Sequence, residues 1–200
     1  MPLTVAIDLD GTMVDCRERQ VALAAALVPA LDRARFWADK RDGATTRVAF
    51  ERQGVPAAGG LAARWAATIE DDHWLVLDEP LPRVAEALRL LRERSFRLVV
   101  VTARRRAAAV ERQLDRLGLL AAVDALEVVD PHIASARKAL LLRAHAAEVL
   151  IGDTESDAAA AATAGVRFLA VATGQRSREY LVAHGAQIVH DDLLAAARAL

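Results

Sequence analysis

From about residue 78 onward, short apolar runs alternate with segments of helical periodicity. Leu81 to Arg94 spaces its leucines and valine as one face of an amphipathic helix, and the valine-rich run Phe96 to Val101 follows as a strand. Ala107 to Leu117 is helical and stops at Gly118, a residue suited to a helix C-terminus. A strand over Leu126 to Val129, a helix over Ser135 to Ala147 and a strand over Val149 to Ile151 come next. A helix over Ser156 to Ala164 then stops at Gly165. The strand Val166 to Val171, the helix Ser177 to Ala183, the short strand Gln187 to Val189 and the helix Asp191 to Leu200 complete the series. Strands alternating with helices require right-handed crossovers, so the pattern predicts an α/β fold with a largely parallel, doubly wound sheet.

The first strand, Leu3 to Ile7, stands apart from this series. The stretch between Met13 and about Asp78 is helix-rich, carries all three tryptophans, and is broken at Gly54-Val55-Pro56 and Gly59-Gly60. The expected organisation is a core made of residues 1–14 and 79–200, with a helical insertion over residues 15–78. An insertion after the first strand sits over the carboxyl edge of the sheet, where open α/β folds bind ligands.

Composition narrows the function classes. The chain has 200 residues, and its apolar fraction of 54% is swollen by alanine, which packs helices but adds little bulk. Acids and bases are interspersed and the formal net charge is −1, so no global field favours nucleic acid or a membrane surface. The one cysteine, Cys16, excludes an internal disulfide and fits a reducing compartment. Met1-Pro2-Leu3-Thr4 does not start a signal peptide, and the most apolar run, Val21 to Leu31, is too short to span a bilayer and contains Pro29. The expectation is a soluble, cytoplasmic protein.

Chemistry concentrates at the predicted strand ends. Asp8-Leu9-Asp10-Gly11-Thr12 closes the first strand. A spacing of two in extended chain points both carboxylates the same way, and Gly11 permits a tight turn that brings backbone N–H groups close to an anion. Two adjacent acids raise each other's pKa unless a cation neutralises them. Gly152-Asp153-Thr154-Glu155-Ser156-Asp157 follows the strand Val149 to Ile151 and offers hard oxygen ligands suited to Mg²⁺. The same residues also suit a capped helix start, with Asp153 or Thr154 as the cap. Thr102 follows the strand Leu98 to Val101; its hydroxyl and the next N–H groups, that of Ala103 first, can hold a phosphoryl oxygen, or Thr102 can simply cap a helix. Lys138, with Arg137 beside it, lies near the start of a helix, where a solvated role is the commoner one. All these signals fall at one edge of a parallel sheet, which independent structural roles do not require.

In this order the four features resemble the signature motifs of the haloacid dehalogenase superfamily. Asp8-x-Asp10-Gly11-Thr12 is similar to the first motif, Val100-Val101-Thr102 to the second, Lys138 to the third and Gly152-Asp153-x-x-x-Asp157 to the fourth. Leu77-x-Glu79-Pro80-Leu81-Pro82-x-Val84 and Ala161-x-x-Ala164-Gly165-Val166 are further echoes. The stretch Thr173 to Leu181, followed by His184-Gly185-Ala186, resembles phosphoglycolate-phosphatase-like members. The resemblance implies a Mg²⁺-dependent phosphatase acting on a small phosphorylated metabolite, with the insertion as the family's helical cap. It makes Asp8 the nucleophile that becomes phosphorylated and Asp10 the general acid and base. It gives the metal to Asp8, the Asp10 main-chain carbonyl and Asp153, with Asp157 orienting the metal's surroundings. Gly11, Thr102, Ala103 and Lys138 then contact the phosphoryl group.

Four other readings compete. A phosphomutase shares every core residue. A dehalogenase needs no acid at position 10, because halide leaves without a proton. A non-catalytic binding domain does not need Asp8, Asp10, Lys138 and Asp153 all intact, and a dinucleotide-binding fold lacks its Gly-x-Gly-x-x-Gly after the first strand. In the insertion, the tryptophans at helical spacing read as core. Phe36-Trp37-x-x-Lys40-Arg41 places two cations where they read as a solvated face, with contact to an anionic substrate as the alternative.

Overall fold

The computed structural model describes residues 2–200. The chain runs β1 (Thr4–Ile7), β2 (Val14–Asp15), α1 (Arg17–Leu27), α2 (Arg33–Arg41), α3 (Thr46–Arg52), α4 (Ala58–Thr68), α5 (Asp72–Leu75) and β3 (Glu79–Pro80). It continues with α6 (Val84–Glu93), β4 (Arg97–Ala103), α7 (Ala107–Arg116), β5 (Ala125–Val129), α8 (Ala134–Ala144) and β6 (Ala147–Gly152). The last elements are α9 (Glu155–Ala164), β7 (Arg167–Val171), α10 (Arg178–Ala183), β8 (Val189–His190) and α11 (Leu193–Arg198).

Six strands form one parallel sheet in the order β5-β4-β1-β6-β7-β8. Its central strands are apolar on both faces because helices cover both. Val5, Ile7, Leu98, Val100, Val149 and Ile151 join one core with α6, α7 and α11. Ala6, Val99, Val101 and Leu150 join the opposite one with α8 and α9. In α6 the buried positions are Val84, Ala87, Leu88 and Leu91, the i, i+3, i+4, i+7 stripe of an amphipathic helix. Burying each of its larger side chains contributes about 1.5–3 kcal/mol.

The helices α1 to α5 lie between β2 and β3, two short strands that pair antiparallel through Val14 with Pro80 and Asp15 with Glu79. The chain therefore leaves and re-enters the sheet unit at one place. The helices carry an apolar cluster of their own, built from Val21, Ala24, Phe36, Trp37, Ala49 and Phe50. The rings of Phe36 and Phe50 meet at 5.7 Å between centroids, tilted by 32°. This small hairpin at the junction is not signalled by the sequence pattern, since two-residue strands have no readable alternation. Among the described residues no helix is long and apolar enough to cross a membrane.

β1 sits between β4 and β6, so the connections leave it in opposite directions and open a crevice at its carboxyl end. Asp8 lies at that point.

Candidate active site

Asp8 continues β1 by donating its N–H to the Ile151 carbonyl at 2.8 Å, which fixes its backbone against β6. Its carboxylate, Asp153 at the end of β6 and Asp157 in the first turn of α9 are all buried. Each offers an oxygen within 4.8 Å of the others'. Lys138 enters from α8 and donates from Nζ to Asp8 Oδ1 and to Asp157 Oδ1, both at 2.6 Å. It is 2% exposed, whereas its neighbour Arg137 lies at the surface. Asp157 also accepts through Oδ2 from the N–H and the hydroxyl of Thr154, so the residue that holds Lys138 also caps α9.

One cation faces three buried carboxylates here, and the titration of the site follows from that imbalance. Burial pushes Asp8 up to about 7, because it outweighs the opposing pull of Lys138, and Asp157 adds to the rise. Burial, then Asp8 and Asp157, push Asp153 well above the usual carboxylate range. Burial works against the Lys138 charge, but Asp157 and Asp8 outweigh it and drive its pKa upward. Asp153 Oδ2 accepts from the Gln175 N–H at 2.6 Å, and its Oδ1 is buried without a protein partner. An orphaned carboxylate oxygen among three acids is the donor set a hard divalent cation takes, so the residues present fit a metal ion.

Close packing of two loops holds Asp153. Gly11 adopts φ +79°, and a Cβ there or on Gly174 would collide with Asp153 and with the other glycine's Cα. The Thr173 hydroxyl donates to the Gly11 carbonyl at 2.6 Å and draws the loops together.

The Asp10 carboxylate turns to different partners. It accepts from Arg104 through Nε and Nη2, both at 2.5 Å, and from Arg19 Nη2 at 2.7 Å. Burial acts to raise its pKa, but Arg104 and Arg19 outweigh burial and hold it below the ordinary value. Arg19 Nε bonds Asp78 at 2.9 Å, and Gln113 donates to the other Asp78 oxygen at 2.5 Å. Arg19, Arg104, Asp78 and Gln113 were not among the residues the sequence pointed to. Arg104 had a local signal, since it stands two residues after Thr102, whereas Arg19 and Asp78 had none.

Asp8, Asp10, Thr102, Ala103 and Lys138 line a niche of about 80 Å³, together with Thr154, Ser156 and Gln175. Thr102 lies inside β4 rather than at a helix start, and it is buried. A second cavity of about 250 Å³ shares Asp10, Ala103 and Gln175 with the niche and extends beneath the inserted helices. Phe36, Trp37 and Lys40 are the buried residues of α2, so Lys40 is not on a solvated face. Arg41 is partly buried, and its guanidinium donates to the Gly174 carbonyl at 2.6 Å and to the Ala172 carbonyl at 3.1 Å. Of the tryptophans, Trp37 is buried in the inserted cluster, and Trp65 packs against that cluster while also lining the second cavity.

The family model for haloacid dehalogenase-like hydrolases matches residues 3–165. The chain belongs to that family. Among solved structures, a predicted phosphatase from Clostridium acetobutylicum is 17% identical with a TM-score of 0.78, over 100% of this chain and 98% of that one. A predicted phosphoglycolate phosphatase from Haemophilus somnus 129pt is 16% identical with a TM-score of 0.74, over 99% and 97%. A protein named as a beta-phosphoglucomutase from Thermotoga maritima is 19% identical with a TM-score of 0.67, over 99% of each chain. None of the curated proteins compared matches the chain. These structures share the fold of this haloacid dehalogenase-like hydrolase across its whole length, the inserted helices included.

Proposed function

We propose that this hydrolase removes phosphate from a small phosphorylated metabolite, with Asp8 as the nucleophile. The observation that carries the reading is the buried Lys138 bridge to Asp8 beside an Asp153 oxygen left without a protein partner. Asp8 and Asp153, with the main-chain carbonyl of Asp10, would hold Mg²⁺, and Asp157 would orient that set through Lys138 and Thr154. The ion supplies positive charge that offsets the acids and the phosphoryl oxygens.

Asp8 attacks phosphorus in line; the bond to the ester oxygen breaks, and an aspartyl-phosphate forms. Lys138 fixes the attacking carboxylate and, with the Thr102 hydroxyl and the N–H groups of the Gly11 and Ala103 turns, balances charge on the transferring oxygens. Asp10 gives a proton to the leaving alkoxide and later takes one from the water that releases phosphate. The two guanidinium groups on Asp10 keep it ionised, which suits the second step; the first requires that clamp to loosen. A residue's role in each step is thus set by which cations touch it.

The experiment is rapid quenching with mass spectrometry on Asp8→Asn and Asp10→Asn. Asp8→Asn should show no phosphoenzyme and no turnover. Asp10→Asn should still become phosphorylated but turn over about 10²–10⁴-fold more slowly, the usual contribution of general acid–base catalysis. Phosphate found on the Asp8→Asn protein would refute the nucleophile assignment. Labelled phosphate passing to a second hydroxyl rather than to water would replace hydrolysis by a mutase reaction.

A further inference from the structure

The cavity of about 250 Å³ that opens from the niche over Asp8 has an electrostatic character the hydrolytic step does not use. Lys40, 7% exposed, lines it, and among the described residues its Nζ donates only to the Thr46 hydroxyl, at 3.4 Å. The Trp65 ring lies 5.5 Å from Nζ, and among the described residues no carboxylate pairs with the ammonium. Arg104 lines the same cavity, and its Nη1 is buried with no partner. The acids of the wall are already engaged: Asp10 by Arg19 and Arg104, and Glu70 by the N–H groups of Arg105 and Arg106 at 2.9–3.0 Å. Behind α2, Arg176 adds positive charge near Lys40, while Glu155 is paired with that arginine. A buried charge without a counter-charge is costly. Burial, then Arg176, accordingly lowers Lys40 to about 8. An anion arriving in the cavity would remove that cost.

We propose that this cavity receives the leaving half of a phosphate ester that carries a second anionic group, and that Lys40, with the free Nη1 of Arg104 beside it, selects for that group. The inference rests on the phosphatase reading, which places the phosphoryl group over Asp8. The cavity is smaller than the roughly 300–1,000 Å³ that drug-sized ligands occupy, which favours a leaving half of few carbon atoms. A carboxylate and a second phosphate both supply the required charge.

The test compares kcat/KM on three esters of one three-carbon skeleton: glycerol phosphate, phosphoglycerate and propanediol bisphosphate. The wild type should prefer one or both doubly anionic esters over glycerol phosphate by at least about tenfold, and the better of the two identifies the second group. Lys40→Met, which keeps the stem against Trp65, should lose roughly ten- to hundredfold on that ester, mainly through KM, as expected when a charged hydrogen bond is removed. Lys40→Arg should retain part of the preference. Lys40→Gln carries the same expectation as Lys40→Met should the latter not fold. An unchanged preference in the folded variants, or no preference in the wild type while all three esters are hydrolysed, would overturn the assignment. Release from none of them, nor from an aryl phosphate, would instead remove the phosphatase reading. Calorimetric binding of the three esters would then decide on Lys40, with equal affinities for wild type and Lys40→Met counting against it.

Discussion

Lys138→Met tests the centre of the site most directly. Methionine keeps the length and the unbranched stem but deletes the charge that lies 2.6 Å from both Asp8 and Asp157. All three residues are buried, so water does little to screen the loss. Removing one partner of a buried ion pair costs about 3–5 kcal/mol, a large part of the about 5–15 kcal/mol that holds a typical domain folded. For a chain of this size about 1 kcal/mol shifts Tm by about 2–4 °C, so the metal-free variant should melt about 6–20 °C below the wild type. The assay is a double-mutant cycle of Lys138→Met, Asp157→Asn and the pair, followed by urea denaturation in EDTA at pH 8. The double variant should recover at least about 1 kcal/mol relative to the sum of the single losses, because residues in contact are not additive. Acid should narrow the gap between Lys138→Met and wild type, since Asp8 becomes neutral more readily once Lys138 is gone. A loss below about 1 kcal/mol in the single variant, or an additive cycle, would refute the idea that Lys138 neutralises these carboxylates.

Three further outcomes follow from the same site. Asp8, raised to about 7, and Asp78, raised to about 6, each chiefly by burial, bind protons more tightly folded than unfolded. Their stabilising contribution is full below about pH 4 and is lost as pH rises through those values, so in EDTA the Tm should fall between pH 5 and 8. Asp10 is displaced the other way, below its ordinary value, and does not act in that window. Mg²⁺ at about 100 times its Kd should restore about 2.7 kcal/mol at pH 8, and a Tm that is flat with pH and indifferent to Mg²⁺ would count against a metal at these acids. Gly174→Ala should weaken that Mg²⁺ effect and lower phosphate release, since its Cβ collides with Asp153; Gly54→Ala, where a Cβ meets nothing but φ is +70°, is a control for backbone strain alone.

Much of the site could be read from the chain because it follows directly on strand ends. Asp8, Thr102 and Asp153 are set by β1, β4 and β6, whose apolar runs are strong local signals, and Lys138 follows from the helix after β5. Of the adjacent cations Lys138 and Arg137, Lys138 lies on the buried face of α8 and reaches Asp8. The Asp10 clamp was only partly readable: Arg104 stands two residues after Thr102, but Arg19 and Asp78, which pairs with both arginines, carry no local signal. The environment of Lys40 was partly readable: it is four residues after Phe36, the same helical face as a fully buried ring. Its charge made a solvated reading more natural. Arg41 gave no sign at all, since its partners are carbonyls more than 130 residues away.

The grip of Arg41 on the carbonyls of Ala172 and Gly174 carries a consequence for how this enzyme can diverge. A joint made to main-chain oxygens is indifferent to the side chains displayed at the same positions. Position 172 can therefore drift through many residue types while the inserted helices stay moored to the sheet. Position 174 cannot drift, because a Cβ there would strike Asp153. Mooring and chemistry meet on one short loop, yet their sequence constraints fall on different atoms, so the inserted helices can change their own side chains without unfastening from the edge of the sheet.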